Sequence, residues 1–119
     1  MLTPQEIFNK VYHHLSEQGK AARQSGSCRY LTMDGLKCAV GCLIPDSSYK
    51  KGFENKGVFD LFLYNPSLAD EMGVSLLDDS VELLSALQYN HDVHLTSDIQ
   101  LWKEGMERTA KEFGLEIPE

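Results

Sequence analysis

Three cysteines, Cys28, Cys38 and Cys42, and four histidines, His13, His14, His91 and His94, are the side chains here with most capacity for chemistry. Cys38 and Cys42 lie four residues apart, and with His91 and His94 they offer two thiolates and two imidazoles, a donor set that suits zinc. The spacing contains no CxxC pair, and a domain that can build its own core has no need of a structural metal. The thiols are therefore expected to act as small buried hydrophobes, with no metal and no cofactor. A second chemistry is nucleophilic. Cys38 or Cys42, near Lys37 and Arg29, would be a thiolate, with one of the histidines as base and Asp92 as its orienter. No local signature accompanies these residues, so a cysteine-dependent enzyme ranks third among the candidate functions.

Charge supplies two further candidate sites. Arg29, Tyr30 and Lys37 place two cations around an aromatic ring, an arrangement able to hold a small anionic ligand such as a nucleotide by charge and stacking. No phosphate-cradling glycine motif supports it. Residues 1–56 carry eight Lys or Arg against five Asp or Glu, whereas 57–102 carry eight acids and no Lys or Arg. Within that acidic stretch Asp70, Glu71, Asp78, Asp79 and Glu82 are candidates for one face that docks on a basic protein, a host partner or another copy of the chain. A net charge of −7 without a cationic cluster argues against nucleic-acid binding.

The elements that must position these residues are mainly helical. Thr3, Pro4 and Glu6 form a capping box ahead of an apolar stripe of Ile7, Phe8, Val11, Tyr12 and Leu15, with Gly19 as the stop. Residues 20–27 read as a loop. Two runs flanking Asp34-Gly35, Cys28–Met33 and Leu36–Val40, read as a β-hairpin with a two-residue turn. In that register Leu31 faces Cys38, and Arg29, Leu31 and Met33 share a face with Leu36, Cys38 and Val40. A helical turn at 41–44 should stop at Pro45, and 46–56 should be a surface loop. Val58–Tyr64 is expected to pack on the core, Asn65-Pro66 to open a short helix ending at Gly73, and Ser75–Tyr89 to form a helix with Leu77, Val81, Leu84 and Leu87 inside. His91 then follows a helix C-terminus. A last helix runs from Ser97 to Phe113, with Trp102 in its buried stripe and Gly114 as its cap. The expected fold class is α+β, mainly α, a helical domain with one short antiparallel hairpin. Residues 1–119 form a single domain, as the length suggests.

The stretch Cys28-Arg29-Tyr30, followed after Asp34 by Gly35-Leu36-Lys37-Cys38-Ala39-Val40-Gly41-Cys42-Leu43-Ile44-Pro45-Asp46, is distinctive. With Thr3-Pro4-Gln5-Glu6-Ile7-Phe8, Leu87-Gln88 and His91-Asp92 ahead of Trp102, it resembles small proteins found in phage and bacterial genomes. The resemblance covers most of the chain and implies a genomic setting, with no catalytic residue attached. An odd number of cysteines, no apolar run of membrane-spanning length and no basic-then-apolar leader point to a cytoplasmic location without membrane attachment. The leading expectation is a small acidic, non-enzymatic binding protein, a phage or mobile-element accessory factor that modulates a host protein. The alternatives are the anionic-ligand module and the cysteine enzyme.

Overall fold

Local caps decide where the long helices begin and end. In the computed structural model, which describes residues 1–118, helix α1 spans Pro4–Gln18. Thr3 Oγ1 accepts from the Glu6 amide, the Glu6 carboxylate accepts from the Thr3 amide, and Gly19 closes the helix at φ 71°. Ile7, Phe8, Val11 and Leu15 are buried, as their spacing requires. Helices α2 (Val58–Tyr64) and α3 (Pro66–Met72) follow, then α4 (Ser80–Tyr89) and α5 (Ile99–Phe113). Between the last two, Asn90–Leu95 continues α4 as a π-helix. The packing is centred on α4, which contacts α1, α2 and α5. Trp102 is fully buried, its ring 5.4 Å from that of Tyr12, so it belongs to the core. No helix is long and apolar enough to cross a membrane among the described residues.

The mainly helical α+β class holds, but the hairpin lies elsewhere. Its strands are β1 (Arg23–Gln24) and β2 (Ser27–Cys28), paired antiparallel around Ser25-Gly26. Both turn residues have positive φ, 54° and 82°, the requirement of the tight hairpin turn whose twist matches the strands. Asp34-Gly35 forms a wider loop with a single bridge, Leu31 opposite Lys37. Thr32 explains the difference. Its hydroxyl accepts from the Leu36 amide at 2.9 Å and donates to the Asp34 carboxylate, closing a three-residue turn in which Gly35 alone is left-handed. The register slips by one residue, so Cys38 donates its amide to Tyr30 O rather than facing Leu31. The faces exchange accordingly: Tyr30 and Thr32 are buried and Met33 is 91% exposed.

Two other boundaries shift for the same kind of reason. Ser75 Oγ accepts from the Leu77 amide and Asp78 Oδ1 from the Ser80 amide, so side chains hold 75–79 as turns and α4 starts at Ser80. Leu77, expected inside, is 98% exposed, and Leu83, Leu84 and Leu87 form the buried stripe. At α5 the cap is Asp98, which accepts from the Gln100 amide at 3.0 Å, one residue beyond the expected Ser97.

Two glycines set contacts between elements. A Cβ on Gly41 would lie 1.9 Å from Tyr30 O, a backbone atom that has no room to retreat. A Cβ on Gly105 would meet Asn90 Oδ1 at 2.6 Å, and Asn90 is tied to Thr109 Oγ1 at 2.9 Å. We predict that Gly41→Ala destabilises the fold by about 3 kcal/mol and Gly105→Ala by about 1–2 kcal/mol. Gly52→Ala, with nothing near its Cβ, should stay within about 0.5 kcal/mol of wild type. Urea unfolding of the three variants checks the order, and a neutral Gly41→Ala would contradict the packing described.

Candidate functional site

The segment from 20 to 57 carries little regular structure, so its amides must find side-chain acceptors. Those acceptors build a polar centre on α4 and its π-helical extension. His91, fully buried, accepts from the Ala22 amide at Nε2 (2.9 Å). An amide can only donate, so Nε2 is unprotonated, and the ring is the neutral tautomer that donates from Nδ1 to Asp92 Oδ1 at 2.7 Å. Gln88, one turn back, accepts from the Val40 amide at 3.0 Å and donates to the same Asp92 oxygen at 2.8 Å. Asp92 is thus oriented by two donors, each anchored to the irregular segment, while its side chain stays 42% exposed.

Cys28 completes the cluster. Its sulfur, a His91 ring nitrogen and an Asp92 oxygen lie within 4.8 Å of one another, the one such group of three among the described residues. The four residues suggested by spacing, Cys38, Cys42, His91 and His94, form no such group. His94 instead lies 3.5 Å from an Arg108 guanidinium nitrogen and edge-on to Tyr89. The Cys28 cluster is also poorly made for a metal. With Nδ1 on an ion, neutral His91 would carry its proton on Nε2, against the Ala22 N–H.

Nor does the cluster furnish a thiolate. Burial, then the charge and hydrogen bond of Asp92, push the Cys28 thiol up to about 11. Burial raises Cys42 to about 12, and it raises Cys38 further still. Cys42 Sγ donates to Ala39 O, and Cys38 Sγ accepts from the Gly41 amide. Both nitrogens of His91 are committed, so it has none left to serve Cys28 as a base.

Cys28 and Asp92 border a cavity of about 290 Å³ that is also lined by Arg29, Tyr30, Gln88 and the loop at 54–58. Tyr30 donates its hydroxyl to Lys56 O at 2.5 Å, and its phenol is held neutral chiefly by burial. Glu54 accepts from the Tyr30 and Leu31 amides and from the Tyr49 hydroxyl. Arg29 and Tyr30 both line this cavity. Lys37 does not line it, and its ammonium pairs with Asp46 at 2.9 Å.

The acidic candidates divide. Asp70 and Glu71 border an open groove with Met1, Leu2, Lys10, His14 and Cys42. Glu82 borders another, of about 540 Å³, with Asp60, Phe59, Leu63, Leu76 and Val81. Asp78 and Asp79 sit in the turn just before α4, beside Leu77 in the chain. Sequence reasoning missed the apolar part of this second groove, because Val58–Tyr64 was expected to turn inward. Its spacing does carry the signal: Val58, Leu61 and Phe62 are buried, which leaves Phe59 and Leu63 together on the outer face. No protein-family model, curated protein or solved structure matches the chain.

Thiol chemistry gives two tests. With Cys28 near 11 rather than the ordinary 9.0, iodoacetamide at pH 8 should modify it about tenfold more slowly than a free cysteine, thiolate scarcity being partly offset by higher nucleophilicity. Asp92→Asn removes a charge that opposes the thiolate and should speed that labelling, as read by peptide mass spectrometry; a slower rate would contradict the cluster. Raised thiol pKa values also stabilise the fold fully below the unfolded thiol value, about 8.5. That contribution is lost as pH climbs through about 11 for Cys28 and about 12 for Cys42. The urea midpoint should therefore fall between pH 9 and 11, and Cys28→Ala should make the fall shallower.

Proposed function

We propose that this protein is a non-enzymatic binding protein that docks a basic partner protein through the groove of α2 and the start of α4. The observation that carries the reading is the exposure of large apolar side chains beside acids. Phe59 is 55% exposed, Leu63 71% and Leu76 50%, with Asp60 and Glu82 lining the same groove. Contiguous apolar surface edged by charge on a small domain is the usual mark of an interaction site. The apolar residues offer burial, and the carboxylates select for Lys or Arg on the partner and steer its approach.

The occupant that fits is an amphipathic segment with apolar anchors and flanking cations. A second copy of the chain fits less well, because the groove would bring Asp60 and Glu82 toward a molecule of net charge −7. The resemblance to small phage and bacterial proteins suits an accessory factor that engages a host protein.

The test is affinity capture from a bacterial lysate with wild type and with a Phe59→Ser, Leu63→Asp double variant. Both positions are exposed, so the variant should fold. One stoichiometric partner should be recovered by wild type, lost with the variant, cross-linked to 59–82, and released as salt is raised. Capture undiminished by the double substitution, or no partner at all, refutes the reading.

A further inference from the structure

We propose that the cavity beside Asp92 is a binding site for a small zwitterionic amine of amino-acid size, its ammonium group on Asp92 and its acid group on Arg29. This site is separate from the docking groove and independent of the function proposed for it.

Asp92 is built as a receptor for a cation. Oδ1 takes both of the hydrogen bonds that orient the carboxylate, from His91 and Gln88. The side chain has no Lys or Arg partner within 4.0 Å among the described residues, and its neighbour His91 is neutral by the hydrogen bond from Ala22. Its other protein neighbour is the Cys28 thiol, a weak donor that leaves the carboxylate's charge unmet. An oriented, part-exposed carboxylate with no Lys or Arg counter-ion, at the edge of a cavity, recognises an N–H cation by a charge-assisted hydrogen bond.

The opposite sign lines the same cavity. Arg29 makes one long bond, from Nε to Leu31 O at 3.4 Å, and lies beside the Tyr49 hydroxyl; its guanidinium still has N–H groups to offer an acid group. Lys56 also borders the cavity, but its ammonium donates to Gly52 O and lies over the Tyr64 ring, in the neighbouring groove. The remaining acid of the lining, Glu54, already accepts from two amides and a phenol, so its oxygens are less available to a ligand while its charge remains. The cavity therefore presents a carboxylate and a guanidinium together, a pairing that favours a ligand carrying both signs of charge. About 290 Å³ lies at the small end of ligand-binding clefts and suits a ligand of amino-acid size.

The experiment is a thermal-shift screen of the full chain against the twenty free L-amino acids at 10 mM, followed by calorimetry on any that stabilise it. At least one should raise the melting temperature. Its N-acetyl derivative, which lacks the ammonium, and its amide, which lacks the acid, should each bind about tenfold or more weakly. Asp92→Asn keeps an oxygen to accept from His91 and Gln88 while removing the charge, and should weaken the same ligand by a similar factor. Arg29→Gln should matter for the free acid and not for the amide. Stabilisation by none of the twenty overturns the proposal. So does a ligand that binds its N-acetyl form or Asp92→Asn equally well, or stabilisation by inorganic phosphate that Asp92→Asn leaves unchanged.

Discussion

The structure depends on how the amides of residues 20–57 are satisfied. That stretch has two strands of two residues and three short 3-10 turns, too little regular structure to pair its own backbone. The helices and a few loop side chains supply the missing acceptors. Gln18 of α1 accepts from the Lys37 amide and donates back to Lys37 O, Gln88 accepts from Val40, His91 from Ala22, and Glu54 from Tyr30 and Leu31. Each buried amide left without a partner would cost about 1–3 kcal/mol, comparable to a sizeable part of a small domain's net stability. This irregular segment is thus pinned at discrete points to α1 and α4, and the cavity is lined by residues 28–30, the loop at 54–58, Gln88 and Asp92.

The same interactions explain which parts of the fold were legible in the sequence. Helices α1 and α5 are encoded locally: a capping residue, a stripe at 3.6-residue spacing and a terminal glycine lie within one stretch of chain. The irregular half is encoded at a distance. Nothing within residues 36–40 says that Gln18 and Gln88 will hold their amides. Where local signals competed, short polar side chains won. Thr32 widened the Asp34-Gly35 turn, and Ser75 and Asp78 delayed α4 by closing turns of their own. Ser25-Gly26 turned more tightly than Asp34-Gly35 because Ser25 accepts a left-handed backbone, a choice that residue preference alone ranks lower.

The candidate sites were legible in part. Arg29 and Tyr30 were singled out and do share a cavity, and Asp92 was set beside His91 as its orienter. Their roles differ from that expectation because of one long-range bond. Once Ala22 donates to His91 Nε2, the imidazole becomes a post that orients Asp92, and the carboxylate becomes the group facing the cavity. Cys28, 63 positions before His91, joins them through β2, an element that reading 20–27 as a loop did not provide. The acids of 57–102 were legible as charge. Their division between two grooves follows from the direction each helix face takes after packing.

Charge segregation along the chain accounts for the different chemistry of the two sites. The apolar groove is made wholly of residues 59–82, inside the stretch that has no Lys or Arg, so its rim carries one sign. The cavity lies at the seam where the mildly basic first half folds against the end of α4. Arg29 and Lys56 come from the first side of that seam and Asp92 from the second. A single-sign rim around apolar surface discriminates among macromolecular partners by net charge, which long-range steering reads well. Opposed charges lining one cavity largely cancel at long range and are felt most by a molecule already inside, so they discriminate by the internal arrangement of a small ligand's own charges. One linear bias in the sequence therefore yields a surface selective for a partner's sign and a cavity selective for a ligand's shape of charge.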